Sequence, residues 1–575
     1  MDRLPPRGPR ESTVRAAAAL RRRAPELAAA LFGLLWFLAV GGYRALPPTA
    51  LGWLGQGDHA QHLLGWLFFR RSRWALPLGR IDGFVWPSGT TVGFTDSNPL
   101  LALAGKLASP LLPRDFQYIG LWLGACFALQ GYFGARLTAL ASPRPRDRAL
   151  GGALFALSPV LLERVGHDTL CAHFALLLMI RLHLGPAEGR PAARRALAAA
   201  AVLVAVLAAV HPYLSVMALV LALALLWKLA AKDRLLGGAE AAGLALLLLA
   251  AQAAVLLAFG FLTTAPAHGP GFGQFATDLV AFVNPLGRSS VLPALPSAPG
   301  GWEGYAYLGL GGLALGAVAA GLVARRPPPR ERLEGLVPLA LASLLLYAFA
   351  LSSAVRIAGR TVLDLGPFYQ RFTWLLGPLR ASGRFAWPLF YLLLAGAVSV
   401  PLVALRERPR LATALLAGAV LLELADLAPL AVGSRFAPRP WRLEDPTWLL
   451  ARGRYQHLAL VPPQVVGVAG PCRGELYGDD DYWAPLAYEA YRLGMTFNSG
   501  FLARGDHERL ARPCLELLGE VAAGELRPDT LYVVHPSLLA ALRPPRARCG
   551  RLEGYLVCVR ADAAGPFAAA LSLPP

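Results

Sequence analysis

Between residues 24 and 432 the chain is a succession of apolar runs, each close to the ~20 residues that a helix needs to cross a bilayer, separated by short basic clusters. The runs cover 24–42, 116–138, 150–165, 170–185, 196–211, 212–229, 240–262, 305–324, 334–351, 384–405 and 411–432. With 55% hydrophobic and only 16% charged residues, and a mean hydropathy of +0.47, the chain has too little polar surface for an ordinary soluble domain. These features predict a mainly α, polytopic helical membrane protein of about eleven spans.

A net charge of +19 raises the question of a nucleic-acid partner. The basic residues fall between the apolar runs, as in Arg21, Arg22 and Arg23, in Arg144, Arg146 and Arg148, and in Arg406, Arg408 and Arg410. That is the positive-inside pattern of membrane proteins, and no basic and aromatic interleaving points to a phosphate backbone. The clusters predict an N-terminus inside and a C-terminus outside, with the first run kept as a signal anchor. The run 98–112, "NPLLALAGKLASPLL", carries Lys106 at its middle and is expected at the interface or re-entrant, because a crossing there would invert every later cluster.

On this topology the unusual polar residues all lie outside. They occupy a first loop (43–115), a turn at 165–173, loops at 263–304 and 352–383, and an α/β domain at 433–575 following a membrane domain at 1–432. In the last domain, "YQHLALVPP" and "DTLYVVHP" read as buried strands and "LARPCLELLGEVAAGEL" as a helix. An oxidising compartment favours disulfides: Cys549 with Cys558 across a hairpin, and Cys472 with Cys514. Cys126 and Cys171 read as small apolar residues.

The stretch "GWLGQGDHAQHLLGWLFFRR" (52–71) sets Asp58, His59 and His62 just beyond the first run, on what reads as an amphipathic helix in the headgroup layer. In "GFTDSNPLL", Asp96 has two readings: a second functional acid, or a cap, with Ser97, for the helix that Pro99 opens. "RVGHDTLCAH" brings His167, Asp168 and His173 to the same side, where Asp168 also reads as a cap, and a His-Pro turn accounts for His211. Cations come from "FYQRFTWLLGPLRASGRFAWPLFY", whose Arg380 and Arg384, four apart beyond Arg371, have the spacing to fork around a phosphate. Asp479, Asp480 and Asp481 in "YGDDDYW" read as a solvated loop rather than a metal site. No Walker glycine loop and no GxSxG nucleophile motif occurs.

The stretches "GDHAQHLLGWLFFR", "DSNPLLAL", "FQYIGLW", "HPYLSVM", "RASGRFAWPLFY" and "NSGFLAR" resemble a bacterial membrane-protein family of unassigned function grouped with the GT-C superfamily of integral membrane glycosyltransferases. The resemblance implies a multi-pass protein of the bacterial inner membrane. It would transfer a sugar from a polyprenyl-phosphate donor to a glycan, lipid or protein acceptor at the outer face. It maps the family's first-loop acid onto Asp58, as general base or divalent-metal ligand, and Asp96 stands beside it as the candidate second catalytic acid. His59, His62, His167, Asp168, Arg380 and Arg384 become substrate contacts. Apart from the Asp479–Asp481 run there is no obvious DxD, and no WWDxG-like motif is present, so acceptor and metal dependence stay open. A lipid or polysaccharide transporter and a non-enzymatic envelope assembly protein are the alternative classes.

Overall fold

The computed structural model describes residues 9–262, 272–372, 376–466, 474–542 and 546–571. A helix forms in each of the apolar runs. Among the described residues seven helical segments are long and apolar enough to cross a membrane, from Pro145–Gly166 to Pro409–Ala431, while Phe174–Leu184 and Leu310–Arg325 are shorter. Helix Gly238–Ala258 buries only Leu248 and Gln252 and turns Leu246, Leu247, Leu249 and Leu257 outward. A helix that is apolar on its outer faces as well is one that hydrocarbon covers. The chain is a polytopic helical membrane protein with a C-terminal domain built on a sheet.

Backbone approach within the bundle depends on glycine. Helix α1 (Pro9–Ala39) packs on a helix at Ile119–Thr138, and a Cβ on Gly33 or Gly131 would fall 2.2 Å from the Phe127 carbonyl oxygen or 2.1 Å from that of Ala29. Small residues at such crossings let membrane helices gain van der Waals contact that lipid tails would otherwise supply. Two acids within Pro409–Ala431 have structural partners. Glu423 accepts the N–H of Gly311 at 2.9 Å, and Asp426 accepts the Tyr307 hydroxyl at 2.8 Å, so both stabilise the N-terminus of Leu310–Arg325.

The first loop departs from expectation in two ways. Helix α2 (Gly57–Arg71) does not lie in a headgroup layer, since every residue from Ala60 to Phe69 is buried in protein. Its apolar residues are arranged around the whole circumference, which suits a helix sandwiched between the bundle and the C-terminal domain. Helix α3 (Pro99–Leu107) is, as read, too short to cross: nine residues rise only about 14 Å. Its cap is Asn98 rather than Asp96 or Ser97, the side chain accepting the Leu101 N–H with Pro99 in the first turn. Lys106 places its amine over the rings of Phe69 and Trp74, at 4.1 and 4.7 Å.

The main sheet of the C-terminal domain has five strands among the described residues: β1 (His457–Val461), β2 (Thr496–Phe497), β3 (Thr530–Val534), β4 (Ala547–Leu552) and β5 (Tyr555–Arg560). Their order is β4-β5-β3-β1-β2, with β1 parallel to both neighbours. Cys549 and Cys558 face each other across the β4–β5 hairpin and form a disulfide. Cys514 is also disulfide-bonded, and Cys472 lies outside the described residues. Cys126 and Cys171 are buried free thiols.

Candidate active site

Helix α2 places Asp58 in its first turn and His62 one turn later on the same face, as the i, i+4 spacing requires. The turn at 164–171 rises against this face. His167 Nδ1 meets Asp58 Oδ2 at 2.6 Å, and its Nε2 lies 3.5 Å from Asp96 Oδ2. His62 Nδ1 bonds the buried Asp168, which is thereby engaged with an imidazole rather than capping a helix. Asp96 reaches the cluster from a left-handed backbone position (φ 48°), a conformation that Asp and Asn tolerate better than most residues. His211 completes the group: its Nδ1 accepts the Tyr213 N–H, and its Nε2 lies 3.9 Å from Asp96 Oδ1.

Burial would discharge all of these groups, but their pairing reverses that for three of them. At His167 burial disfavours the cation, yet the Asp58 and Asp96 carboxylates outweigh it and push the pKa up to about 10. Against the same burial penalty, His167 holds Asp58 and Asp96 below their ordinary value. His211 goes the other way. Burial, aided by the charges of His167, Arg384 and Arg504, outweighs Asp96 and keeps it neutral.

The cavity beside these groups also has a cationic lining. Arg384 makes a two-pronged contact with Glu303, Nε to Oε2 at 2.8 Å and Nη2 to Oε1 at 2.6 Å, and Arg164 Nη1 also donates to Glu303 Oε2 at 2.8 Å. The arginine pair read from sequence is therefore split: Arg384 is committed to Glu303, whereas among the described residues Arg380 meets only the Ala503 carbonyl, at 3.4 Å. The cavity has a volume of about 250 Å³, and Asp58, Asp96, His167, His211, Arg380 and Arg504 line it together with aromatic rings including Tyr213 and Trp302.

His59 is not part of this cavity: its Nε2 lies 3.0 Å from the Val165 carbonyl oxygen and its ring packs edge-on against Trp53. His173 bonds the Tyr391 hydroxyl at 2.8 Å, and Arg371 is exposed. Of the acidic triplet, Asp480 is exposed while Asp481 accepts the Gly57 N–H at 2.8 Å and so caps α2 from the C-terminal domain. Sequence reading passed over Glu303, Arg504 and the role of His211. A lone acid in the aromatic "GGWEGYAY" and the arginine ending "NSGFLAR" are the signals that mark the first two.

The residues present fit a divalent cation once His167 gives up its proton, since an imidazolium has no lone pair to offer a metal. One ring nitrogen of His62, one of His167 and an Asp96 carboxylate oxygen lie within 4.8 Å of one another, and among the described residues neither Nε2 has a hydrogen-bond partner. Each imidazole is held at Nδ1 by a carboxylate, Asp168 or Asp58, the support that metal-binding histidines use to fix tautomer and orientation.

A family model described as a domain of unknown function, DUF6311, matches residues 30–428, and the DUF6311 C-terminal domain matches residues 447–560. The chain belongs to the DUF6311 family. This DUF6311 protein is similar in fold to ArnT from Cupriavidus metallidurans, in a crystal structure bound to undecaprenyl phosphate. The identity is 14% and the TM-score 0.45, covering 94% of this chain and 98% of that one. It is also similar to the Archaeoglobus fulgidus oligosaccharyltransferase tethered to an acceptor peptide, at 13% identity and a TM-score of 0.41, over 84% of this chain and 64% of that one. AglB from Archaeoglobus fulgidus, in complex with an inhibitory peptide and a dolichol-phosphate, gives 13% and 0.38, over 88% and 69%. No curated protein matches the DUF6311 chain.

Proposed function

We propose that this DUF6311 protein is a membrane glycosyltransferase that moves a sugar from a polyprenyl-phosphate donor to an acceptor at the outer face of the bacterial inner membrane. The observation that carries the reading is the lining of one cavity, where ionised carboxylates and guanidinium groups meet. Displacement at a sugar carbon needs a base on the acceptor side and charge stabilisation of the departing phosphate. Asp58 is the acid with more of its side chain open to the cavity, 35% exposed against 10% for Asp96, and takes the acceptor proton. His167, hydrogen-bonded to Asp58 and 3.5 Å from Asp96, fixes their orientation. Arg384, held rigid by Glu303, adds positive potential to the cavity, and Arg380 contacts the phosphate. A divalent ion, when bound by His62, His167 and Asp96, supplies further Lewis-acid stabilisation of negative charge. The transporter alternative loses its best candidates, Glu423 and Asp426, because both are engaged in capping a helix.

The test is transfer of radiolabelled sugar from a panel of polyprenyl-phosphate donors by the purified protein in bilayers, wild type beside Asp58→Asn. The variant is expected to fold and to lose activity by about 100-fold or more, the scale of a positioned general base. Activity retained in the folded variant removes Asp58 from the chemistry. No transfer by the wild type from any donor removes the transferase reading.

A further inference from the structure

The C-terminal domain reaches into the cavity at one point. After a short strand at Gly500–Phe501 the chain runs along the rim, where the Ala503 N–H donates to the Phe94 carbonyl at 2.8 Å, two residues from Asp96. Arg380 from the opposite loop donates to the Ala503 carbonyl, so residue 503 is held from both sides. The next residue, Arg504, is half-buried and lines the cavity. Among the described residues it has no hydrogen bond and no ion pair, in contrast to Arg384 and Arg164 on Glu303. The nearby acids are engaged, Asp58 and Asp96 with His167. Burial, together with the charges of Arg380 and Arg384, pulls the Arg504 pKa below the ordinary arginine value, yet a guanidinium stays charged at physiological pH. Two guanidiniums that have no carboxylate partner among the described residues, both lining one cavity, form an anion site.

We infer that the C-terminal domain completes the site: Arg504, with Arg380, binds the phosphate of the lipid-linked donor. The inference deepens the proposed function and rests on its choice of donor. It gives the domain a direct part in donor binding, because the cradle contains one arginine from each half of the chain. Planar guanidinium groups suit a phosphate, whose oxygens accept paired, charge-assisted hydrogen bonds.

The experiment measures binding, without turnover, by the full-length protein in nanodiscs. The probes are undecaprenyl phosphate, undecaprenol and inorganic pyrophosphate. Wild type is expected to prefer undecaprenyl phosphate over undecaprenol, and pyrophosphate to compete with it. Arg504→Gln should weaken that lipid at least tenfold while leaving undecaprenol unchanged, and Arg504→Lys should fall between. Arg509→Gln, at an arginine that donates to the Ser88 carbonyl outside the cavity, should bind as wild type. Unfolding midpoints check that each variant folds. A folded Arg504→Gln that binds undecaprenyl phosphate as tightly as wild type overturns the inference, as do lysine and glutamine variants that are equally weak. Binding of pyrophosphate without the lipid overturns the lipid assignment. A protein that binds the lipid through Arg504 but transfers no sugar supports the anion site and refutes the transferase.

Discussion

Glu303 accepts hydrogen bonds from two buried guanidiniums, and its removal would leave Arg164 and Arg384 facing each other with no acid between them. Breaking a buried pair by deleting one partner costs about 3–5 kcal/mol, chiefly because the other charge is stranded. Glu303→Gln is therefore expected to lower stability by roughly that amount in thermal or denaturant unfolding of the detergent-solubilised protein. The pH dependence has a definite sign. Burial opposes ionisation of Glu303, but Arg384 and Arg164 outweigh it and hold its pKa below the ordinary value. A depressed carboxylate stabilises the fold fully above its unfolded pKa of about 4.3, and the contribution is lost as pH falls through the folded value. The gap between wild type and variant should hold from neutral pH to about 5 and close only in stronger acid. A gap that closes between pH 8 and 6 would contradict the assignment.

Helix α2 carries the acid end of the site, and its packing sets where the second acid stands. A Cβ on Gly65 would lie 2.1 Å from Thr95 Oγ1 and 2.4 Å from Ser97 Oγ, the two residues flanking Asp96. Gly65→Ala gains about 1 kcal/mol of helix propensity but meets an overpacking cost of about 1–3 kcal/mol, so the net loss of stability is small. The larger effect falls on position, since shifting 95–97 moves Asp96 relative to His167. A displacement near 1 Å costs about 100-fold in positioned catalysis. Transfer assays should show at least a tenfold loss with a nearly unchanged unfolding midpoint, whereas Gly321→Ala, whose added Cβ meets nothing within 4 Å, should alter neither. Equal activity in Gly65→Ala and wild type would remove this coupling. The elements themselves were legible in the sequence because their signals are local: apolar run length for the spans, short continuous apolar runs for β1 and β3, and close cysteine spacing for the β4–β5 disulfide. Asp58, Asp96 and His167 stood out singly as polar residues beside apolar runs, but their pairing spans 109 positions and depends on how the bundle folds. The environment of α2 was misread because an apolar and aromatic helix ending in arginines has the same composition whether lipid or a second domain covers it. Arg384 looked available for phosphate because its partner Glu303 is 81 positions away.

At the scale of the molecule the first loop and the C-terminal domain behave as one body. The Asp481 carboxylate caps α2, the Phe497 N–H donates to the Gly83 carbonyl at 2.9 Å, the Trp86 N–H returns to the Phe497 carbonyl at 2.9 Å, and Arg71 bonds the Tyr491 carbonyl. The ten consecutive buried residues of α2 fill the space between the bundle and this domain, so separating the halves would expose a large apolar surface. The connecting segment contributes less than this interface. A covalent link raises the effective concentration of the second half to the millimolar range, which matters only when the contacts alone are weak. A protease site inserted after the exposed Arg442 should therefore be cut without dispersing the protein. The fragments are expected to co-migrate on size exclusion in detergent and to retain most of the sugar transfer of the uncut chain, because Arg504 stays beside Arg380. Fragments that separate on cutting would show that the linker, and not the first loop, holds the C-terminal domain over the cavity. Fragments that stay together but lose transfer would show that the linker sets the position of Arg504. The second result would be read by repeating the undecaprenyl phosphate binding measurement on the cut protein, where lost affinity identifies the phosphate cradle as the part that moved.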